Sequence, residues 1–200
     1  TRPQLWEDGW IMIGTWKCAL PLAALMLNAA VLVPAAQASE PDGSRPVLQT
    51  RFGAVIGRSE GTAGQVRVYR GVRYAASTQG RRFEQAIDPQ PWATPADAGE
   101  FGSDCPQPVQ GEVPVFASWA NPRGMSEDCL FLNVWTRGKQ GDGKKRPIMV
   151  WLHGGGYVTG SGSSHGYDGS RLAERGDVVV VTLNHRLNAF GYSHLALASA

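Results

Sequence analysis

Ile148-Met149-Val150-Trp151-Leu152-His153-Gly154-Gly155-Gly156-Tyr157 joins five consecutive apolar residues to a histidine, three glycines and an aromatic ring. An apolar run without polar alternation is what a strand buried on both faces requires. Consecutive glycines can adopt φ > 0 and present backbone N–H groups with no Cβ in the way. Acyl transfer needs such donors where negative charge develops on a tetrahedral intermediate. A second apolar run follows at Val178–Leu183 (VVVVTL). Two such strands with a long connection between them predict a parallel pair in a sheet covered by helices. Asp168 to Arg175 is the expected crossover helix, with Asp168 as N-cap and Gly176 at its end.

Upstream of this unit, Leu130–Trp135 (LFLNVW) reads as another strand, and the Gly-rich stretch from Arg137 to Pro147 as a hairpin-like turn. Val66, Val68 and Val72 alternate with Arg67, Tyr69 and Arg70, the pattern of an exposed antiparallel strand. Residues 86–123 are rich in Pro and Gly and predict long irregular chain, which in compact domains is usually functional or stapled. The expected class is α/β, with an antiparallel β start followed by central parallel strands.

The 200 residues correspond to one domain or the front of a larger one. With 42% hydrophobic and 18% charged residues, the chain is neither disordered nor fibrous. Its 25 glycines and 13 prolines are not periodic, which excludes collagen. A net charge of +2 carries no concentrated basic face, so no nucleic-acid partner is expected. Lys144-Lys145-Arg146 reads as a solvated turn or a phosphate contact.

Residues 1–38 read as an address. The apolar run from Cys18 to Ala36 is broken by Pro21, Asn28 and Pro34, follows Lys17, and leads to Ala36-Gln37-Ala38. That is the form of a secretory signal peptide cleaved after Ala38; the alternative is a membrane anchor, which needs about 20 apolar residues. Glu7 and Asp8 lie where a signal carries positive charge, so residues 1–11 are expected to be upstream read-through, with the start at Met12. Residues 39–200 are then the exported part, secreted or periplasmic. Cys18 leaves with the signal. Cys105 and Cys129 remain, and in an oxidising compartment they are most simply one disulfide, or otherwise two buried thiols. Neither has a Cys or His at ligand spacing, so no metal is expected.

Four segments carry a family resemblance. Glu127-Asp128-Cys129-Leu130-Phe131-Leu132-Asn133-Val134-Trp135 resembles the EDCL signature of the type-B carboxylesterases, the family of the cholinesterases and the bacterial para-nitrobenzyl esterases. Gly71-Val72-Arg73-Tyr74-Ala75 is similar to its GIPYA segment, with Arg73 where proline is usual. Cys105-Pro106-Gln107 resembles the first half of its first disulfide. Asn184 to Tyr192 (NHRLNAFGY) is similar to its NYRL-x-x-x-G-F segment. The resemblance runs from about residue 47 to residue 200 in the family's order.

The resemblance implies an α/β-hydrolase fold, of which this is the N-terminal part only, and serine acyl transfer on small-molecule carboxylic esters without a cofactor. It implies that Gly155 and Gly156 supply oxyanion N–H groups, with Gly154 shaping the turn. It pairs Cys105 with Cys129 and makes Arg82 and Glu127 a structural ion pair. It places the acidic partner of Arg186 past Ala200. His153 would orient the loop rather than act as base, and His165, His185 and His194 read as surface or packing residues. Trp119 and Tyr157 are candidates both for the substrate gorge and for ordinary packing. A non-catalytic, cholinesterase-like binding or adhesion protein is the second reading. A hormone-sensitive-lipase-like esterase shares the HGG motif but not EDCLFLNVW.

The nucleophile of this fold sits in a G-x-S-x-G elbow between a strand and a helix, followed in order by an acid and a histidine. Gly162-Ser163-Ser164-His165-Gly166 matches in letters, but no buried strand runs directly into it. The Ser, Asp or Glu, and His are therefore expected after Ala200, and the 200 residues alone are expected to be inactive. The strand at Val178–Leu183 is expected to present an unpaired edge. No stable membrane anchor is expected, and oligomeric state is not readable.

Overall fold

The computed structural model describes residues 45–61, 65–108 and 124–193. The expected signal peptide, Trp119 and His194 lie outside these. The described strands form two sheets. A small sheet holds β1 (Val47–Gln49), β2 (Ala54–Ile56) and β5 (Ala96–Asp97) in the order β1-β2-β5. The main sheet is ordered β3-β4-β6-β8-β7, from β3 (Arg58–Glu60), β4 (Val66–Arg73), β6 (Phe131–Thr136), β7 (Ile148–Leu152) and β8 (Val179–Leu183). Pairing is antiparallel from β3 through β8, and β7 runs parallel to β8 in continuous register from Ile148–Val179 to Leu152–Leu183. The antiparallel start and the parallel pair are as the sequence predicts.

The connection from β7 to β8 carries the crossover helix, Ser170–Gly176. It lies against the sheet over Val66, Val68, Trp135 and Val180, with Ala173 inserted between them. Burying a valine or larger apolar side chain of this kind contributes about 1.5–3 kcal/mol. The helix starts later than its sequence suggests. Gly169, not Asp168, is the N-cap, while Asp168 Oδ1 accepts the Ser170 N–H at 2.9 Å. Its end is set by Asp177 in the left-handed region rather than by Gly176. Gly169 packs close to the sheet: a Cβ there would lie 2.8 Å from Val180 and 3.0 Å from Trp135.

Four further expectations are corrected. β4 is not an exposed strand: Val66, Val68, Tyr69 and Val72 are buried between β3 and β6. Its arginines escape burial costs through partners, Arg70 on Glu60 and Arg73 on Asp128, while Arg67 donates to the Arg137 carbonyl. The stretch 137–147 is no hairpin turn, because it joins β6 to β7 across the intervening β8. β8 is not the edge, since it lies between β6 and β7; among the described residues the outer strand is β7. Nor is β7 buried on both faces: its five residues are 44–68% exposed, and the described apolar clusters pack on its neighbours rather than on it.

Candidate functional site

The glycine turn leaves the carboxyl end of β7, where α/β sheets place their ligands. Gly155 and Gly156 have φ of 125° and 61°, and Tyr157 follows at 64°. The left-handed stretch therefore falls on Gly155 and Gly156, while Gly154 lies outside it. A Cβ on Gly155 would lie 2.0 Å from the Thr159 carbonyl oxygen, whereas one on Gly156 would meet open space. The Gly155 carbonyl is tied inward by the N–H groups of Val158 and Thr159, both at 3.1 Å. Among the described residues, the N–H groups of Gly155 and Gly156 donate to no protein acceptor.

The turn is anchored from two sides. Gln107 clamps Gly160 reciprocally: Oε1 accepts the Gly160 N–H at 2.8 Å and Nε2 donates to its carbonyl at 2.9 Å. Gln107 follows Cys105, which is joined to Cys129 by a disulfide. Both sulfurs sit in an apolar cluster with Ala75, Leu130 and Leu187. From the other side Asn188 donates its N–H to the Tyr157 carbonyl at 2.7 Å and its side-chain amide to the Pro106 carbonyl at 2.8 Å. Below the turn, Asn184 accepts the Gly162 N–H at 2.8 Å and donates to the Ser103 carbonyl at 3.0 Å. Asn133 donates to Thr182 at 3.0 Å. Asn133 and Asn184 are buried and bonded, as buried polar groups must be, while Gln107 and Asn188 are half-buried.

His153 is buried. Its Nδ1 is 3.0 Å from the Gly154 carbonyl and its Nε2 has no partner among the described residues. Burial pushes its pKa below the ordinary histidine value, opposed by the Gly154 carbonyl and reinforced by the neighbouring His185. Ser164 lies in a loop leading to the 3-10 turn His165–Tyr167, and its buried Oγ is also unpartnered. No strand leads into Ser164, so the elbow geometry is absent there. Tyr157 is exposed, its ring 4.7 Å from that of Tyr192.

Arg82 and Glu127 meet, the guanidinium donating twice to Glu127 Oε1 at 2.6 and 2.9 Å. Arg82 also lies 5.4 Å over the Phe190 ring. The hydrogen bond from Arg82 holds the Glu127 carboxyl below its usual 4.5. A carboxylate with a depressed folded-state pKa stabilises fully above the unfolded value and loses that contribution as pH falls through the folded one. Arg82→Ala is therefore expected to lower the melting temperature at pH 7. The gap from wild type should close on acidification below 4.5, read from melting curves at both pH values. Arg186 donates to the Glu84 carbonyl at 2.7 Å. Arg73, standing where proline is usual, grips Asp128 with two hydrogen bonds at 2.6 and 2.8 Å and stacks 4.7 Å over Phe131. It thus ties the GVRYA segment to the EDCL segment.

Sequence reading left Gln107, Asn184 and Asn188 without roles, although each stands in a segment it had singled out. Their signal is faint, because an amide's partner here is a backbone group far along the chain. Among the described residues there is no cluster of three metal-ligating side chains, and no helix is long and apolar enough to cross a membrane.

A profile of the carboxylesterase family matches residues 44–199. The chain belongs to the carboxylesterase family. It is 40% identical over 151 residues to the para-nitrobenzyl esterase of Bacillus subtilis (strain 168), covering 75% of this chain and 29% of that one. It is 40% identical over 164 residues to the acetylcholinesterase of Danio rerio, covering 77% and 25%. The solved structure of the Geobacillus stearothermophilus carboxylesterase EST55 superimposes with a TM-score of 0.64 at 40% identity, covering 76% of this chain and 29% of that chain. The chain thus spans under a third of the length of these relatives. Its sheet is the antiparallel start and first parallel pair of the α/β-hydrolase fold.

Proposed function

We propose that this carboxylesterase chain is the front part of an exported enzyme that hydrolyses small-molecule carboxylic esters by serine acyl transfer. Residues 1–38 are its signal and residues 39–200 its first structural portion. The observation that carries the reading is the pair of unengaged N–H groups at Gly155 and Gly156, at the carboxyl end of β7. They supply two donors for an oxyanion hole, and the residue after the nucleophile supplies the third.

The nucleophile, acid and base come from chain beyond Ala200. The serine Oγ attacks the ester carbonyl carbon while histidine takes its proton, and the carbonyl oxygen becomes the oxyanion facing Gly155 and Gly156. Collapse breaks the bond to the alcohol, which leaves with the proton from histidine, and water repeats the cycle on the acyl-enzyme. His153 takes no proton in this scheme, since its ring is buried against the turn. No metal or cofactor enters it.

The test uses the full-length protein and the isolated residues 39–200 side by side, with a short-chain nitrophenyl ester and a fluorophosphonate probe. The full-length protein is expected to turn over the ester and to be labelled at one serine outside these 200 residues. The isolated portion is expected to do neither. Labelling at Ser164 would overturn the assignment. A full-length protein that folds but neither labels nor hydrolyses would establish the binding-protein reading instead.

A further inference from the structure

The segment Asn184–Tyr192 reaches the glycine turn through rings as well as through Asn188. His185 stacks on His153, with centroids 4.4 Å apart and planes within 9°. Tyr192 meets His185 edge-on at 5.8 Å and 88°, and its hydroxyl lies 3.1 Å from His185 Nδ1. The Tyr192 ring in turn packs against Tyr157, the residue after the last glycine. The glycines are thus bracketed: His153 precedes them, Tyr157 follows them, and both rings rest on side chains of one downstream segment.

His153 cannot fix its own plane. Only one of its ring nitrogens is bonded, to the carbonyl of its own neighbour Gly154, and the other is buried without a partner. A Cβ on Gly160 would lie 2.3 Å from His153 Nδ1, so the ring fills a close-fitting slot. The flat stack on His185 supplies the orientation that hydrogen bonding does not. Facing the two imidazoles are each other, the Tyr192 hydroxyl, the Gly154 carbonyl on His153 and the Arg186 carbonyl, 3.3 Å from His185 Nδ1. Arg186 is adjacent in sequence, but its guanidinium is turned to the Glu84 carbonyl.

We propose that His185 is a positioning residue for the oxyanion turn: stacked on His153 and held by Tyr192, it keeps the Gly155 and Gly156 N–H groups aimed at the reacting carbonyl. The inference rests on the reading of those glycines as oxyanion donors. It acts through His153 and Tyr157 and requires no contact between His185 and substrate. A flat ring is what the position needs.

Full-length wild type, His185→Ala and His185→Phe are compared for hydrolysis of a short-chain nitrophenyl ester. Outright loss of one oxyanion donor costs about 10²–10³ in kcat, so a loss of aim is expected to cost about 10-fold or more. His185→Ala should lower kcat by that factor with KM held within twofold. A trifluoromethyl ketone, which forms the tetrahedral adduct, should weaken in parallel. His185→Phe, which restores a flat ring, should recover most of the lost kcat. Hydrogen exchange at the amides of residues 153–160 is the readout independent of catalysis. It should speed up in His185→Ala and return towards wild type in His185→Phe. Unchanged kcat in His185→Ala overturns the proposal while wild-type activity leaves the oxyanion reading standing. Unchanged exchange overturns it in a protein without activity. A kcat loss that phenylalanine does not rescue also overturns it.

Discussion

Gly155→Ala in the full-length protein is expected to lower kcat for a short-chain nitrophenyl ester by about 10²–10³-fold, the loss seen when an oxyanion donor is removed. Two features make this the most sensitive position in the turn. Its φ of 125° lies where side chains rarely go, and its new Cβ would lie 2.0 Å from the Thr159 carbonyl oxygen. That oxygen is backbone and cannot rotate away as a side chain would, so the turn itself must move. Both N–H groups then lose their aim together. Gly156→Ala is the internal control. Its Cβ meets open space, so only the left-handed conformation is penalised, at about 1–2 kcal/mol. The order of effect is therefore Gly155 well above Gly156, read from kcat with melting temperature measured alongside. A Gly155→Ala protein that folds and keeps kcat within threefold would remove these glycines from the oxyanion hole.

The second large effect concerns stability. Replacing Cys105 and Cys129 together by alanine is expected to destabilise by about 3.5 kcal/mol on the chain-entropy account of a loop closed over a separation of 24 residues. The double replacement leaves no lone thiol to mispair. Both cysteines are essentially inaccessible and pack on Leu130 and Leu187, so the change also disturbs an apolar cluster. Urea unfolding with and without reductant separates the two contributions. Wild type should shift to lower urea on reduction, whereas the double variant should ignore the reductant. The crosslink also holds the segment from which Gln107 grips Gly160, so kcat should fall on reduction at a temperature where the protein remains folded. A wild-type midpoint indifferent to reductant would show that the crosslink contributes nothing.

The aromatic ladder and the disulfide converge on one segment. Leu187 rests on the sulfurs, Asn188 holds the glycine turn, Phe190 lies under Arg82, and His185 stacks on His153. These contacts join residues far apart in sequence, so substitutions within Asn184–Tyr192 are expected to couple rather than add.

Much of this was written in the chain itself. The two short apolar runs with a long connection between them pointed to the parallel pair, because runs of five or six residues are strand-length and parallel strands need a crossover. Three adjacent glycines marked the turn, because glycine takes φ > 0 at no steric cost. The EDCL, GVRYA and NHRLNAFGY segments identified the family before any coordinate. Tertiary structure alone decided the rest. Composition could not say that β8 lies between β6 and β7, since strand order is set by which runs pair at a distance. It could not show β4 as a buried strand, because its arginines are neutralised by Glu60 and Asp128 from other elements. Nor could it show that Gly155 rather than Gly154 bears the clash, or that His185 lies flat on His153. Local pattern records what each residue prefers, whereas these features depend on which distant atoms the folded chain brings within a few ångströms.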